Sequence, residues 1–421
     1  MPGLLPPSLP SDRARGALLP EASDRPRVAS TQQTSTQQTS QGGTVKTTAA
    51  ILWEENTPWS VEEIDLDPPK AGEVLVELAA SCLCHSDEHV VTGDLRGFVG
   101  PLPTIGGHEG AGVVLEVGDG VRSVAPGDHV VFSFVPACGR CPSCATGHSN
   151  LCDLAGLAAS GLQVSDLTSR HHARGRDLTL AIGGLGTFAH HTVVNEASCV
   201  KIDRTHPLDR ACLLGCGVVT GWGSAVNAGR VAPDDYVAIV GIGGIGASAI
   251  LGAKAAGARV IAAVDPVELK RTKAIELGAT HAYSSIAEAR ADLAESTWNR
   301  GFDVVIMAMS VGSGAALGEA SELAGKRGRI VVTNMHPATE ASVDLSAIML
   351  TVFERQIVGS LFGSANARYE IPMLLELYSQ GRLDLDALVT RTYPLEGINE
   401  GYEDMRAGRN LRGVLVYGSG A

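Results

Sequence analysis

The chain predicts an α/β protein in which a β-rich, cysteine-bearing first half is followed by a doubly wound parallel sheet. Three observations carry that prediction. Short Val- and Leu-rich runs bounded by glycine and proline fill the stretch from Val74 to Phe132. Strand-like and helix-like segments alternate from Tyr236 to Thr333. Between the first such strand and helix lies Gly241-Ile-Gly-Gly-Ile-Gly246.

Composition bounds the rest. With 421 residues there is room for two or more domains at roughly 150 residues each. The chain is 44% hydrophobic with 50 glycines, so it can build a core with many turns. A formal net charge of −13 argues against a nucleic-acid or anionic-membrane partner. No run approaches the ~20 apolar residues of a membrane-spanning helix. Nine cysteines, an odd number, suit metal ligands plus spare thiols better than a disulfide framework. A soluble protein of the cytoplasm is expected.

Residues 1–44 differ from all that follows. They are rich in Pro, Ser, Thr and Gln, and Thr31-Gln-Gln-Thr-Ser35 is repeated as Thr36-Gln-Gln-Thr-Ser40. Such a segment buries too little apolar surface to offset its ordering entropy, so it reads as a disordered or spurious extension.

From Lys46 the pattern is globular. Val74-Leu-Val-Glu-Leu-Ala and Gly112-Val-Val-Leu-Glu-Val read as strands, and Ala125-Pro-Gly-Asp-His-Val-Val-Phe as a turn feeding another. Tyr236-Val-Ala-Ile-Val240, a helix from Ala247 to Ala256 and the strand Arg259 to Asp265 make one βαβ unit of about 30 residues. Further strands fall at Val304-Val-Ile-Met and Arg329-Ile-Val-Val-Thr. A helix near Ile371 to Tyr378 and a last strand, Gly413 to Tyr417, complete the chain.

Cys138, Cys141, Cys144 and Cys152 stand in a Cys-x2-Cys-x2-Cys-x7-Cys run. Four thiolates from one loop can close a tetrahedron around Zn²⁺ with no open position, which marks a structural metal. Two disulfides would need an oxidising compartment that nothing else suggests.

Gly241, Gly243 and Gly246 occupy the place where a strand turns into a helix, the context that gives Gly-x-Gly-x-x-Gly its meaning. There the first glycine permits the turn, the second lets a pyrophosphate approach backbone N–H groups, and the third lets helix and strand pack closely. Asp265, 19 residues after Gly246, ends the next strand. A carboxylate there accepts from ribose hydroxyls and repels a 2′-phosphate, so the cofactor expected is NAD.

Two upstream motifs, Leu83-Cys-His-Ser-Asp-Glu-His89 and Gly106-Gly-His-Glu109, and one downstream, Leu214-Gly-Cys-Gly-Val-Val-Thr-Gly221, complete the set. Spacing alone does not join them. Taken in order, however, they resemble the zinc-dependent medium-chain alcohol dehydrogenases, over about nine-tenths of the chain from Lys46 onward. The resemblance implies a GroES-like catalytic domain and a Rossmann domain, divided as 45–217, 218–360 and a returning segment 361–421. It implies a catalytic zinc on Cys84, His108 and Cys216, with Glu109 beside it and Asp87 supporting it, and hence two Zn²⁺ per chain. It implies a zinc alkoxide, deprotonated through Ser86 and His89, that passes hydride to NAD. Cofactor contacts are implied at His85, Thr220, Gly241, Gly243, Gly244, Ile245, Gly246, Asp265, Lys270 and Arg412.

Within that family, Ala50-Ile-Leu-Trp-Glu-Glu-Asn-Thr-Pro-Trp59, Val131-Phe-Ser-Phe-Val-Pro-Ala-Cys-Gly-Arg-Cys141 and Gly359-Ser-Leu-Phe-Gly-Ser364 resemble the bacterial N,N-dimethyl-4-nitrosoaniline-dependent (nicotinoprotein) branch. There NAD stays bound and an electron acceptor reoxidises it in place. The partners expected are a small alcohol or aldehyde, that acceptor and other copies of the chain. Cys82, where the family usually has glycine, and the loop Arg96-Gly-Phe-Val-Gly100 depart from the pattern. A formaldehyde–thiol adduct dehydrogenase is the nearest alternative. A non-enzymatic zinc- and NAD-binding protein is a remote one.

Overall fold

The computed structural model describes residues 43–296, 299–336 and 342–418, so the expectation for residues 1–44 falls almost wholly outside the described residues. Glu73–Cys82 is the spine of the first half. Along one edge it pairs antiparallel with Gly110–Val117. The other edge is shared by His191–Asn195, along its first half, and Arg412–Val416, along its end. The strand is buried on nearly every residue because both of its faces are covered, and it delivers the chain to Cys84. His129–Phe132, Cys199–Ile202 and Val389–Tyr393 extend this sheet to seven strands. A second sheet opens with the antiparallel pair Val45–Leu52 and Ser60–Leu66, in register from Val45 opposite Leu66 to Ile51 opposite Ser60.

Arg170 ties these layers. It is 1% exposed and grips the fully buried Glu73 with two bonds, Nε to Oε2 at 2.8 Å and Nη2 to Oε1 at 2.6 Å. Nearby, the Trp59 ring meets Phe188 edge-on at 5.6 Å and stacks on Tyr402 at 6.3 Å.

The second half is a six-stranded, all-parallel sheet. Its order is His281–Tyr283, Val260–Val264, Tyr236–Val240, Phe302–Met307, Ala324–Val332 and Gln356–Gly359. Strands of such a sheet are covered on both faces, which is why Val-Ala-Ile-Val reads as an unbroken apolar run instead of alternating. Every expected strand of this half is present. The helix after the glycine loop starts at Gly244, three residues earlier than its alanine-rich stretch indicated. Glycine at its first turn hides the start, but the bond from Ala247 N to Gly243 O at 2.9 Å closes that turn. The strand order places the carboxyl edge of Tyr236–Val240 at the point where connections run in opposite directions, the position at which such sheets bind ligands. Among the described residues no single helix is long and apolar enough to cross a membrane.

Candidate active site and cofactor cleft

The glycine loop meets the steric demands of its motif. Gly241 sits at φ +91°, and a Cβ there would lie 2.5 Å from the Met309 backbone. A Cβ on Gly246 would lie 2.0 Å from the Gly241 carbonyl oxygen, so only glycine lets helix and loop approach this closely. A Cβ on Gly243 would meet nothing within 4 Å, which leaves that backbone open to a ligand. Asp265 is 4% exposed, and its carboxylate accepts from Ile242 N at 2.8 Å and Val267 N at 2.9 Å. Lys270 Nζ lies 3.9 Å from the same carboxylate. Gly244 and Ile245 form the first helical turn.

Three distant motifs converge beside this cleft. Cys84 follows the spine strand and precedes the helix His85–Val91. His108 and Glu109 lead into Gly110–Val117, and Cys216 sits where a short turn meets the helix Gly217–Gly223. Ligand atoms of Cys84, His108, Glu109 and Cys216 lie within 4.8 Å of one another, and all four residues are buried.

Their electrostatics ask for a cation. The bond from Cys216, with the charges of His108 and Arg412, holds the Cys84 thiol well below its ordinary range against burial. The Cys84 thiolate in turn pushes Cys216 well up, and burial adds to the effect. Burial alone would lower His108, but the Asp87 carboxylate and the Cys84 thiolate raise it well above the usual imidazole value. Burial drives Glu109 well up, against the attraction of Arg412. Glu109 Oε2 meets Arg412 and the Gly217 N–H, while Oε1 is buried with no partner. Two thiols, an imidazole and an orphaned carboxylate oxygen fit a zinc ion held by Cys84, His108 and Cys216.

Asp87 sets the histidine. Its Oδ1 accepts from Gly107 N at 2.9 Å, and its Oδ2 lies 3.0 Å from His108 Nδ1. The second contact falls short of full hydrogen-bond alignment. Neither of its atoms has another partner and both are buried, so this contact is what orients the ring. Nδ1 is thereby occupied, leaving Nε2 for a metal.

Cys138, Cys141, Cys144 and Cys152 also gather with sulfurs within 4.8 Å, Cys138–Cys144 at 4.0 Å and Cys141–Cys152 at 3.9 Å. A zinc tetrahedron with ~2.3 Å bonds needs S···S separations of about 3.8 Å, whereas a disulfide needs ~2.05 Å. Backbone N–H groups of Arg140 and Cys141 point at Cys138 Sγ and, against burial, bring that thiol down to about 6. Burial and the neighbouring thiols push Cys144 up to about 12. The four residues fit a structural zinc.

The remaining expected residues surround the cluster. Ser86 Oγ is 3.7 Å from Cys84 Sγ, and Thr220 Oγ1 is 3.9 Å from Cys216 Sγ. Burial lowers His85, with Lys270 and His89 among the charges near it. Arg412 is buried against Glu109, and its guanidinium packs on the Gly217 and Gly244 backbones, joining the metal cluster to the glycine loop. His89 Nε2 lies 3.3 Å from the Ser310 carbonyl at the sheet's carboxyl edge.

Sequence reasoning missed three partners. Asp94 Oδ2 lies 2.9 Å from His89 Nδ1, and the signal was a carboxylate five residues beyond the histidine. Phe134 meets the His108 ring edge-on at 5.7 Å and packs on Phe362 at 4.6 Å, but no spacing rule pairs them. Cys82 and Cys212 are buried with their sulfurs 3.3 Å apart.

Known proteins resemble this chain over both of its halves. Residues 70–204 match the alcohol dehydrogenase GroES-like domain, and residues 244–380 match the zinc-binding dehydrogenase domain. The chain is 47% identical over 373 residues to the NDMA-dependent alcohol dehydrogenase of Amycolatopsis methanolica, covering 89% of this chain and 99% of that one. Alcohol dehydrogenase B of Mycobacterium tuberculosis is 46% identical over 376 residues, with the same shares covered. Among solved structures, an alcohol dehydrogenase zinc-binding domain protein from Burkholderia ambifaria is similar with a TM-score of 0.83 at 33% identity, over 90% of this chain and 100% of that one. The chain therefore belongs to the zinc-dependent medium-chain alcohol dehydrogenase family, an oxidoreductase with a GroES-like catalytic domain and a Rossmann NAD-binding fold.

Proposed function

We propose that this chain oxidises primary alcohols to aldehydes by hydride transfer to an NAD that it retains between turnovers. The observation that carries this reading is the buried Cys84–His108–Cys216 cluster set beside the glycine loop. When bound there, zinc acts as a Lewis acid that makes an alcohol hydroxyl acidic. The chain's own residues do the rest. Asp87 fixes His108, and Ser86 takes the hydroxyl proton onward to His89. Asp265 holds the adenosine ribose and selects NAD over NADP, while His85, Lys270 and Arg412 face the phosphates. Retention of NAD is supported by the 47% identical relative, named as NDMA-dependent, and by the stretches from Ala50, Val131 and Gly359.

We divide the chain at 217 and 360, with 361–421 returning to the catalytic domain, and place it in the cytoplasm, where nine free thiols persist. A homo-oligomer is supported by the edge strand Gln356–Gly359, beside which Ile348, Val352, Ile357 and Leu361 are exposed.

The test is oxidation of a primary alcohol by desalted enzyme with nitrosoaniline as acceptor and no added NAD. Turnover supports both the activity and the held cofactor. Turnover only on adding NAD would remove the retention, and turnover only with formaldehyde and a thiol would replace the substrate class.

A further inference from the structure

His89 stands between two unlike surroundings. Its Nε2 edge faces the Ser310 carbonyl, three residues past the strand Phe302–Met307, inside the crevice where the cofactor is expected. Its Nδ1 edge faces Asp94, whose side chain is 46% exposed although the imidazole is 10% exposed. Asp94 does not float there, because Thr92 Oγ1 donates to its Oδ2 at 2.6 Å. The ring is thus a bridge from a closed crevice to solvent, with a fixed carboxylate at its outer end.

A neutral imidazole carries one N–H, and its position decides what the ring can do. Two acceptors compete for it. The carboxylate contact at 2.9 Å is charge-assisted and shorter, and the carbonyl contact at 3.3 Å is neutral and long. The proton therefore sits on Nδ1, and the Nε2 lone pair is free to accept from the crevice side. Without the carboxylate, the Ser310 carbonyl is the acceptor left. It would draw the N–H to Nε2 and close the ring as a base.

We propose that Asp94 is the positioning residue of the proton path, holding His89 in the tautomer that can accept a proton at Nε2. This rests on the reading of Ser86 and His89 as the relay. In the step itself the O–H bond of the donor hydroxyl breaks and an Nε2–H bond forms. The Nδ1–H stays on the ring against Asp94, which steadies the resulting imidazolium. The imidazolium then gives its Nδ1 proton to water at the solvent edge, and exchange of the remaining N–H through water returns the ring to the Nδ1–H tautomer that Asp94 favours. The other charged groups around the ring do not substitute for it. His85 lies one turn back on the same helix, Glu88 engages Arg406 at 2.9 Å, and Glu55 beside Gly93 engages Arg96. The Thr92 and His89 bonds hold the Asp94 carboxyl below its usual range against its slight burial.

The experiment compares holoenzyme with Asp94→Ala, Asp94→Asn and His89→Asn in pre-steady-state alcohol oxidation between pH 6 and 10. General-base catalysis contributes about 10²–10⁴-fold, so Asp94→Ala should slow the proton-dependent step by roughly 10–100-fold at pH 7. The deficit should shrink towards pH 10, where hydroxide takes the proton directly, and added imidazole should restore part of the rate. Asp94→Asn keeps an acceptor oxygen and should fall between Ala and the parent. Histidine-selective ¹⁵N spectra should show the His89 proton moving from Nδ1 to Nε2 in Asp94→Ala. If His89→Asn is as fast as the parent at pH 7, the relay reading itself falls. If His89→Asn is slow but Asp94→Ala is not, the role of Asp94 alone falls. A loss in Asp94→Ala that is equal at every pH, with no imidazole rescue and no change of tautomer, would make Asp94 merely structural and overturn the proposal.

Discussion

Replacing Asp87 by Asn tests the metal site without removing a ligand. Oδ1 accepts from Gly107 N at 2.9 Å, and Oδ2 makes a charged contact with His108 Nδ1 at 3.0 Å. An amide offers one acceptor and one donor, so Asp87→Asn can serve only one of these partners. Keeping the Gly107 bond turns the NH₂ towards His108 Nδ1, which must then give up its proton to Nε2, the nitrogen a metal needs. Keeping the His108 contact sets the NH₂ against the Gly107 N–H at a fully buried site. Either way one contact with the carboxylate is lost, and a hydrogen bond to a charged group is worth about 1.5–3 kcal/mol. That is roughly a 10–150-fold loss of zinc affinity, in line with the ~10–100-fold found when groups behind metal ligands are changed. The assay is zinc retained per chain during titration with a chelator of known affinity, read by elemental analysis. The lobe of Cys138, Cys141, Cys144 and Cys152, which fits a second zinc, serves as the internal control. Zinc affinity at the first site within threefold of the parent would refute the reasoning that Asp87 sets the His108 tautomer.

Three further outcomes follow from particular contacts. Gly246→Ala drives a Cβ to 2.0 Å from the Gly241 carbonyl and should lower stability by about 1–3 kcal/mol, whereas Gly243→Ala, with nothing within 4 Å, should leave the melting temperature unchanged and weaken NAD binding. Similar melting temperatures for the two variants would contradict this. Asp265→Asn removes a charge from the ribose end of the cleft; at ε ≈ 20 and ~8 Å that charge opposes each unit of a 2′-phosphate by about 2 kcal/mol. The NAD-to-NADP ratio of kcat/KM in reconstituted enzyme should therefore fall at least ~30-fold, and an unchanged ratio would take the selection away from Asp265. Arg170→Met strands the fully buried Glu73 and should destabilise by about 3–5 kcal/mol in urea unfolding, with Arg170→Met/Glu73→Leu recovering most of it; a single-variant loss under 1 kcal/mol would show the pair to be dispensable.

Much of the site was legible in the linear chain because its chemistry is local. The four-cysteine lobe comes from one loop, and the glycine turn from one βαβ unit, so spacing alone reported both. The catalytic cluster was different. Cys84, His108 and Cys216 lie 24 and 108 residues apart in sequence, and only the resemblance grouped them. Local texture also misled at one helix start, where Gly244 and Gly246 looked like loop although the helix had already begun.

By itself the sequence determined the elements whose cause is short-range: apolar runs for a sheet covered on both faces, glycines where a side chain would strike backbone, and thiols spaced for one ion. Tertiary structure decided what depends on which chain segments meet. The spine strand Glu73–Cys82, the turn before Gly110 and the helix at Gly217 each bring one group to the cluster, because sheet pairing and helix packing fix their ends in space. Arg412, from the last strand, reaches Glu109 only because that strand pairs beside Cys82. The same holds for Asp87 behind His108 and for Asp94 behind His89. A hydrogen bond is set by distance and angle over about 3 Å, and no periodicity in the sequence encodes which carboxylate will stand there.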